Sequence, residues 1–441
     1  MTGTRTYALA AAAIAAIAAV LVAASVASGT APKRHVTPKV SGTISIISEA
    51  TGPEQEHFKN VLADFEKLNP DVEVKYTSAG RNLTTILSTA VAGGNPPDMA
   101  LLPQPGFMRE LVKKKALKPI EFLRPTIKKN WSAGWVALGS VGGKLYGLYL
   151  KGANKSTIWY NVKLFKKAGV KTPKTFNALL KAAKTLKASG TKAYSIGGGD
   201  GWTLTDLFEN IYLRQAGGSN YDKLSAHKIK WTSPTVKAAL QQMAKIFSDD
   251  SNIAGGTSGA LSTVFADSVT QAFGNNPKAA MVLEADFVEG VITGSTNAKP
   301  KTDFNYFPWP AIKPGTLNNV VAGGDAVVMF RDKPATRALM KYFATPRAAN
   351  VYAKQGGFSS PNKLVKGSAY HDPIARRAAL ALSHAKVVRF DMSDLQPAAF
   401  GGTPGQGMWK LLQDLLKNPK NVNQIASQLE SAAAKAYSGG K

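Results

Sequence analysis

The sequence predicts an α/β protein built as two lobes. Length is the first reason: 441 residues exceed the roughly 250–300 at which a single hydrophobic core stops growing. The second is an alternation of strand and helix patterns from Gly42 onward, which marks a mainly parallel sheet with crossover helices. The third is composition. With 44% hydrophobic and 19% charged residues, the chain has enough apolar side chains to fill cores and is not generally disordered.

The first 27 residues read as an address. Arg5 precedes an uncharged, Ala-rich stretch with Ile14, Ile17, Val20, Leu21 and Val22, and Ser25, Val26 and Ala27 close it. A positive start, an apolar middle and a small-residue end form the pattern of a secretory signal. An uncleaved membrane anchor is the competing reading, since about 20 apolar residues just span a bilayer. On either reading the rest of the chain is exported, to a periplasm or cell surface. Residues 28–41, with Pro32 and Pro38, read as an extended tether.

The run Thr43-Ile44-Ser45-Ile46-Ile47-Ser48 is a short strand. Thr51-Gly52-Pro53-Glu54 then signals a helix start, and Phe58, Val61, Leu62, Phe65 and Leu68 fall on one helix face. Asn69-Pro70-Asp71 stops that helix, and 72–76 alternates as a strand. Further helices are expected at 83–92, 107–115, 175–189, 204–216, 236–247, 334–343, 347–355, 408–416 and 422–436. Further strands are expected at 99–102, 143–149, 156–161, 281–283 and 326–330.

Catalytic patterns are missing. Cysteine is absent, and the five His (His35, His57, His227, His371, His384) never stand four apart with a Glu between. Gly143-Lys144 does not complete a phosphate loop, 197–201 does not complete a dinucleotide fingerprint, and no Gly-x-Ser-x-Gly surrounds Ser258. No cofactor is implied. A glycosidase needs only two distant carboxylates, so a secreted carbohydrate-active enzyme using Glu49, Asp98 or Glu284 is the alternative reading.

Polar and aromatic residues at strand ends and turns remain. Such planar side chains hold neutral sugars by paired hydrogen bonds and by covering their C–H faces. Glu49 follows the first strand; Asp98 and Gln104 flank 99–102; Trp202 and Asp206 lie in the Gly-rich turn and the next helix; Glu284 ends 281–283; Asp325 follows Gly323-Gly324. The glycines there let backbone approach a ligand closely. Each has a plainer reading: a cap for Glu49, Asp98 and Asp206, lobe packing for Trp202. Trp159 and Trp309 read as core or hinge.

These residues sit among segments that resemble the extracellular solute-binding proteins of carbohydrate ABC importers, the maltose/oligosaccharide-binding family. The segments are 65–74, with its Asn-Pro junction; Gly94-Asn95-Pro96-Pro97-Asp98-Met99; Gly143-Lys144-Leu145-Tyr146-Gly147-Leu148; 159–169, continued by Thr172-Pro173-Lys174-Thr175-Phe176; and Gly356-Gly357-Phe358-Ser359-Ser360-Pro361-Asn362. They run in family order over 42–441. The turn around Trp202 and Asp206 is similar to that of α-glucoside-type binders.

The resemblance implies a periplasmic-binding-protein fold with an interlobe ligand cleft. Lobe 1 would be 42–155 plus 319–365, and lobe 2 would be 156–318 plus 366–441, with crossovers near 154–161, 310–325 and 362–372. It also implies a non-enzymatic monomer that closes on a carbohydrate and presents it to the membrane subunits of an ABC permease. The implied ligand contacts are Glu49, Asp98, Gln104, Trp202, Asp206, Glu284, Gly324, Asp325 and Phe358. Two departures stand out. There is no lipobox cysteine, and Ala285 replaces a frequent Gly, which puts the neighbouring ring contact in question.

The formal charge is +27, a balance that attracts polyanions. It concentrates between Leu111 and Gly199, where nineteen Lys or Arg stand against Glu121 alone. A solvated face is the plain reading. An anionic cell-wall or membrane surface, reached by an adhesive basic face, is the functional one. Nucleic acid is not an expected partner: the chain is exported, and aromatics are not interleaved with the basic run.

Overall fold

In chain order the strands are β1 (Gly42–Ser48), β2 (Val72–Ser78), β3 (Met99–Leu102), β4 (Ser140–Val141), β5 (Lys144–Leu145), β6 (Gly147–Asn154), β7 (Thr157–Asn161), β8 (Tyr194–Ser195), β9 (Met281–Val282), β10 (Phe304–Pro308), β11 (Asn319–Met329) and β12 (Val387–Phe390). Six helices matter here: α1 (Gly52–Leu68), α2 (Val162–Lys167), α3 (Phe176–Ala188), α4 (Trp202–Ala216), α5 (Val288–Ser295) and α6 (Gly407–Lys417). The structure is a computed structural model that describes residues 40–370 and 372–439. The address segment and nearly all of the tether lie outside the described residues. Among the described residues no helix is long and apolar enough to cross a membrane.

Two sheets organise two lobes. In the first, β1 pairs in parallel with β2 and β3, and β3 continues to β11. One edge of β11 runs antiparallel along β6; the other is shared end to end, its first residues pairing with β12 and its last with β3. The second sheet has the order β10-β7-β9-β8. The chain passes between sheets from β6 to β7, from β10 to β11, and again on its way to β12. Arg214, buried on α4, ties the second passage at both ends: it donates to the carbonyls of Trp309 at 3.3 Å and Asn319 at 2.6 Å.

The helices form as their periodicity requires. On α1, Phe58, Val61, Leu62 and Phe65 are buried against the first sheet, each contributing about 2 kcal/mol of apolar burial. Thr51 is extended (φ −132°, ψ 162°) but makes no side-chain cap bond. Glu54, its expected partner, instead receives a hydrogen bond from Lys151. Asn161 caps α2 through Leu164 N at 3.1 Å, and Thr175 caps α3 through Ala178 N at 3.2 Å. Trp159 and Trp309 are fully buried in the second lobe's cores.

Three strand expectations change. The strand expected at 326–330 begins at Asn319. Gly323 and Gly324, expected to bring backbone close to a ligand, lie inside this strand, where crowding neighbours leave no room for a side chain. A Cβ on Gly324 would stand 2.6 Å from the Lys151 carbonyl oxygen and 3.0 Å from the Trp135 ring. β10, which ends in a proline, carries no alternating signal. β12 falls in the stretch assigned to lobe 2, but it pairs with β11 in the first sheet, Asn319 opposite Val387 and Ala322 opposite Phe390.

Candidate functional site

The carboxyl ends of β1 and β3 point to one place, as expected for ligand sites of α/β sheets. Glu49 follows β1, and Pro103 and Gln104 follow β3. With α1's first turn and residues 79–84 they make one wall of a cavity of about 470 Å³. The second lobe supplies the facing wall: Asp200 and Trp202 at the start of α4, Val264–Ala266, Phe287 and Trp409. Lys151, Lys155, Gly324, Asp325, Asp391 and Asp394 lie between the lobes.

A register shift between Asp325 and Ala326, where β11 meets β6, breaks the strand alternation at this point. A bulge re-aims side chains, and here Asp325 lies opposite Lys151 in the register, with the carboxylate 3.6 Å from the ammonium. Lys151 also bonds Glu54. Burial pushes the Lys151 pKa down, but the Glu54 and Asp325 charges outweigh it and hold the ammonium in its charged form. Burial pushes Glu49 well up, and Asp325 and Glu54 add to the rise. Its Oε2 has no hydrogen-bond partner among the described residues.

A second cluster centres on Lys155. Its ammonium is 3.0 Å from Asp206 Oδ1, bonds Asp391, and lies 4.0 Å from Asp394. Glu209 stands behind, accepting from Tyr221 Oη and the Met392 and Ser393 amides. One cation cannot neutralise so many carboxylates, so the cluster keeps protons. Burial pushes Asp206 up to about 8 against the pull of Lys155, with the Asp391 charge adding to the rise. Burial also raises Asp391, but there Lys155 prevails and holds it well below its ordinary value. Burial raises Glu284, and the Asp206 charge raises it further.

This has a sign. A carboxyl raised on folding keeps a proton that the unfolded chain has released. Its stabilisation is complete at acid pH, below the unfolded value, and is lost as pH rises toward the folded one. Thermal denaturation is expected to show stability falling between pH 6 and 8 by up to about 1.4 kcal/mol per pH unit for each retained proton. Asp206→Asn should flatten that fall; an unchanged slope in the variant would refute the assignment.

Aromatic rings line the facing wall. Trp202 lies 5.2 Å from Phe265 and 5.9 Å from Phe287, centroid to centroid, and Phe265 lies 5.3 Å from Phe287. The lysine ammoniums stand over two of these rings, Lys155 at 5.8 Å from Trp202 and Lys151 at 5.1 Å from Phe287. The Trp409 indole N–H, buried on α6, has no hydrogen-bond partner among the described residues. Across the cleft, Arg81 donates to the Gly199 carbonyl at 2.8 Å and stands 3.7 Å from Asp200. This half-exposed clasp joins the lobes. Arg81→Ala is expected to weaken solute affinity by about two- to fivefold, since exposed pairs contribute about 0.5–1 kcal/mol. Titration calorimetry measures it.

Of the nine residues expected at the site, Glu49, Gln104, Trp202, Gly324 and Asp325 line the cleft. Asp98 does not. It opens β3 at the opposite end, where Ser45 N (2.9 Å) and Lys333 (2.8 Å) donate to it. Burial would raise it, but these bonds hold it below its ordinary value. Phe358 is buried in the first lobe's core, stacked on Tyr352 at 4.6 Å. Glu284 is buried with one oxygen bonded to the Ala285 amide at 3.0 Å. Asp206 is not a cap: it is a buried residue inside α4 that reaches the cleft through Lys155. Gly324 is small to fit Lys151 and Trp135 rather than a ligand. The ring put in question by Ala285 is present, since Phe287 lines the wall.

The sequence reading missed Glu54, Arg81, Lys151, Lys155, Asp391 and Trp409. Lys151 carried a usable signal: it interrupts the apolar run 148–153, and a lysine inside a buried strand needs a partner.

Two lobes, three passages between them and a polar, ring-lined cleft define a solute receptor. The pattern of the bacterial extracellular solute-binding protein family matches residues 50–350, and the chain belongs to that family. It is 32% identical over 372 residues to the osmoprotective compounds-binding protein GgtB of Synechocystis sp., covering 83% of this chain and 87% of that one. It is 32% identical over 371 residues to the alpha-glucosides-binding periplasmic protein AglE of Rhizobium meliloti, covering 81% of each. The solved structure of the bacterial solute receptor AcbH, described as having an exclusive preference for β-D-galactopyranose, superposes with a TM-score of 0.78 at 18% identity, over 90% of this chain and 99% of that one.

Proposed function

We propose that this protein captures a small neutral glycoside by hinge closure and delivers it to the membrane subunits of an ABC permease, acting as an exported monomer and not as an enzyme. The observation that carries the reading is the pairing of the Trp202–Phe265–Phe287 wall with unpartnered polar groups, Glu49 Oε2 and the Trp409 N–H, across one cavity. Rings cover the C–H faces of a sugar, and the polar groups pair with its hydroxyls. The names of the two relatives, for alpha-glucosides and osmoprotective compounds, support the same class.

Glu49, Gln104, Trp202 and Asp325 are the contacts we assign from the expected set, joined by Lys151, Phe287 and Trp409. The lobes we assign are 42–155 with 319–365 and 156–318 with the remainder, β12 excepted. Of the three carboxylates on which the enzyme reading rested, only Glu49 lines the cleft, which favours a receptor. Titration calorimetry against α- and β-linked mono- and disaccharides tests the proposal. Binding to at least one is expected; tight binding of a different solute class with no carbohydrate bound would overturn it.

A further inference from the structure

The basic stretch is not one surface. Lys151 and Lys155 belong to the cleft, paired with its carboxylates. What remains falls into two groups, exposed lysines at 113–118, 128–129 and 144 of the first lobe, and the outer side of the second lobe, α2, the loop after it and α3, where the run is longest and lacks any acidic residue. Lys166, Lys167, Lys171, Lys174, Lys181 and Lys184 are all exposed there and make no ion pair among the described residues. The pairs that do form stand at its borders, Lys163 with Asp303 at 2.6 Å and Lys187 with Asp249 at 2.8 Å. No Asp or Glu occurs between residues 122 and 199.

The apolar sides of α2 and α3 are spent inward. Phe165, Phe176, Leu179, Ala183 and Leu186 are buried in the lobe's core, so the lysines face outward as anchored, flexible point charges. Among the described residues the large exposed apolar side chains, Leu68, Ile86, Leu364, Leu380 and Val388, all lie elsewhere. Nothing in the patch can wedge into a membrane or stack on a base, and none of its lysines lines either of the protein's two described cavities. Lysines spread over two helices and the loop between them present many separated charges, which suits an extended plane of negative charge.

We propose that this face of the second lobe rests on an anionic phospholipid bilayer by electrostatics alone. The sequence offers no cysteine for a thioether-linked lipid, and a patch of this kind would hold a receptor near the membrane without one. The attraction falls off within a Debye length, and each lysine adds to it. It does not depend on which solute fills the cleft.

The test is sedimentation of the purified chain with vesicles. Phosphatidylcholine vesicles containing about one third phosphatidylglycerol should bind it at low salt, at least roughly tenfold better than pure phosphatidylcholine or than the same vesicles at about 0.5 M salt. The charge reversal K166E/K167E/K181E/K184E should lose that binding, whereas K363E/K366E/K417E/K420E, of equal net charge, should keep it. Solute binding in both variants reports intact folding, and the salt series on the unaltered chain stands without them. Equal loss in the two variants would assign the effect to net charge and overturn the proposal. So would binding to neutral vesicles, no binding to anionic ones, or capture by a soluble polyphosphodiester polymer with none by vesicles.

Discussion

Trp202→Ala should weaken glycoside binding by about 70-fold, or roughly 2.5 kcal/mol, the amount expected when about 100 Å² of apolar contact is removed from water at 25 cal/mol/Å². Trp202 is only half-buried and is followed on α4 by a fully buried face, so the loss should fall on binding and leave folding nearly intact. Phe265 and Phe287 remain in the variant, but their edge-on contact leaves the sugar plane without its floor. Calorimetry with the tightest member of the sugar panel gives the affinity, and a melting curve gives the stability. A variant that binds as well as the original would show that Trp202 serves lobe packing, the plainer of its two readings.

Lys155→Met should be the most damaging single change in the cleft. The substitution leaves Asp391 buried with its charge and without its cation. Removing one partner of a buried ion pair costs about 3–5 kcal/mol, a large part of the stability of an ordinary domain. The cost should be reduced by neutralising the carboxylate that Lys155 held in its charged form: Lys155→Met combined with Asp391→Asn should recover much of the loss in urea denaturation at neutral pH. Additive losses in the double variant would mean that the two groups do not communicate, contrary to the Lys155–Asp391 bond. Because Asp206 already carries a proton at neutral pH, the companion change Asp206→Asn should rescue far less.

The α/β alternation, the apolar face of α1 and the start of β3 follow from period and turn chemistry, and they are where the pattern places them. What the pattern could not show is which charged residues fold inward. Lys155 looks like the lysines of α3 in sequence, and only folding brings Asp206 of α4 and Asp391 beyond β12 to it, as it brings Glu54 of α1 and Asp325 of β11 to Lys151. Asp325 and Glu49 were legible because they follow strands and glycines. Asp98 also flanks a strand, but at its amino end, away from the carboxyl edge where ligands bind, and Ser45 and Lys333 hold it there. Phe358 was carried by its loop's resemblance, while its ring packs on Tyr352. Trp409 was hidden because an aromatic on an amphipathic helix reads as core, and only the folded chain places it on the facing wall.

The long strand β11 also sets a schedule. It lies between β3 and β6, which precede it by more than a third of the chain, and it is buried along its whole length. Until Met329 has been synthesised, β3 and β6 present unpaired edges and the first sheet cannot close. Pairings at such sequence distance form slowly. For a member of an extracellular family, delay is useful: a chain that cannot complete its first lobe from its own early segments remains threadable until the strand that closes the first sheet has followed it across.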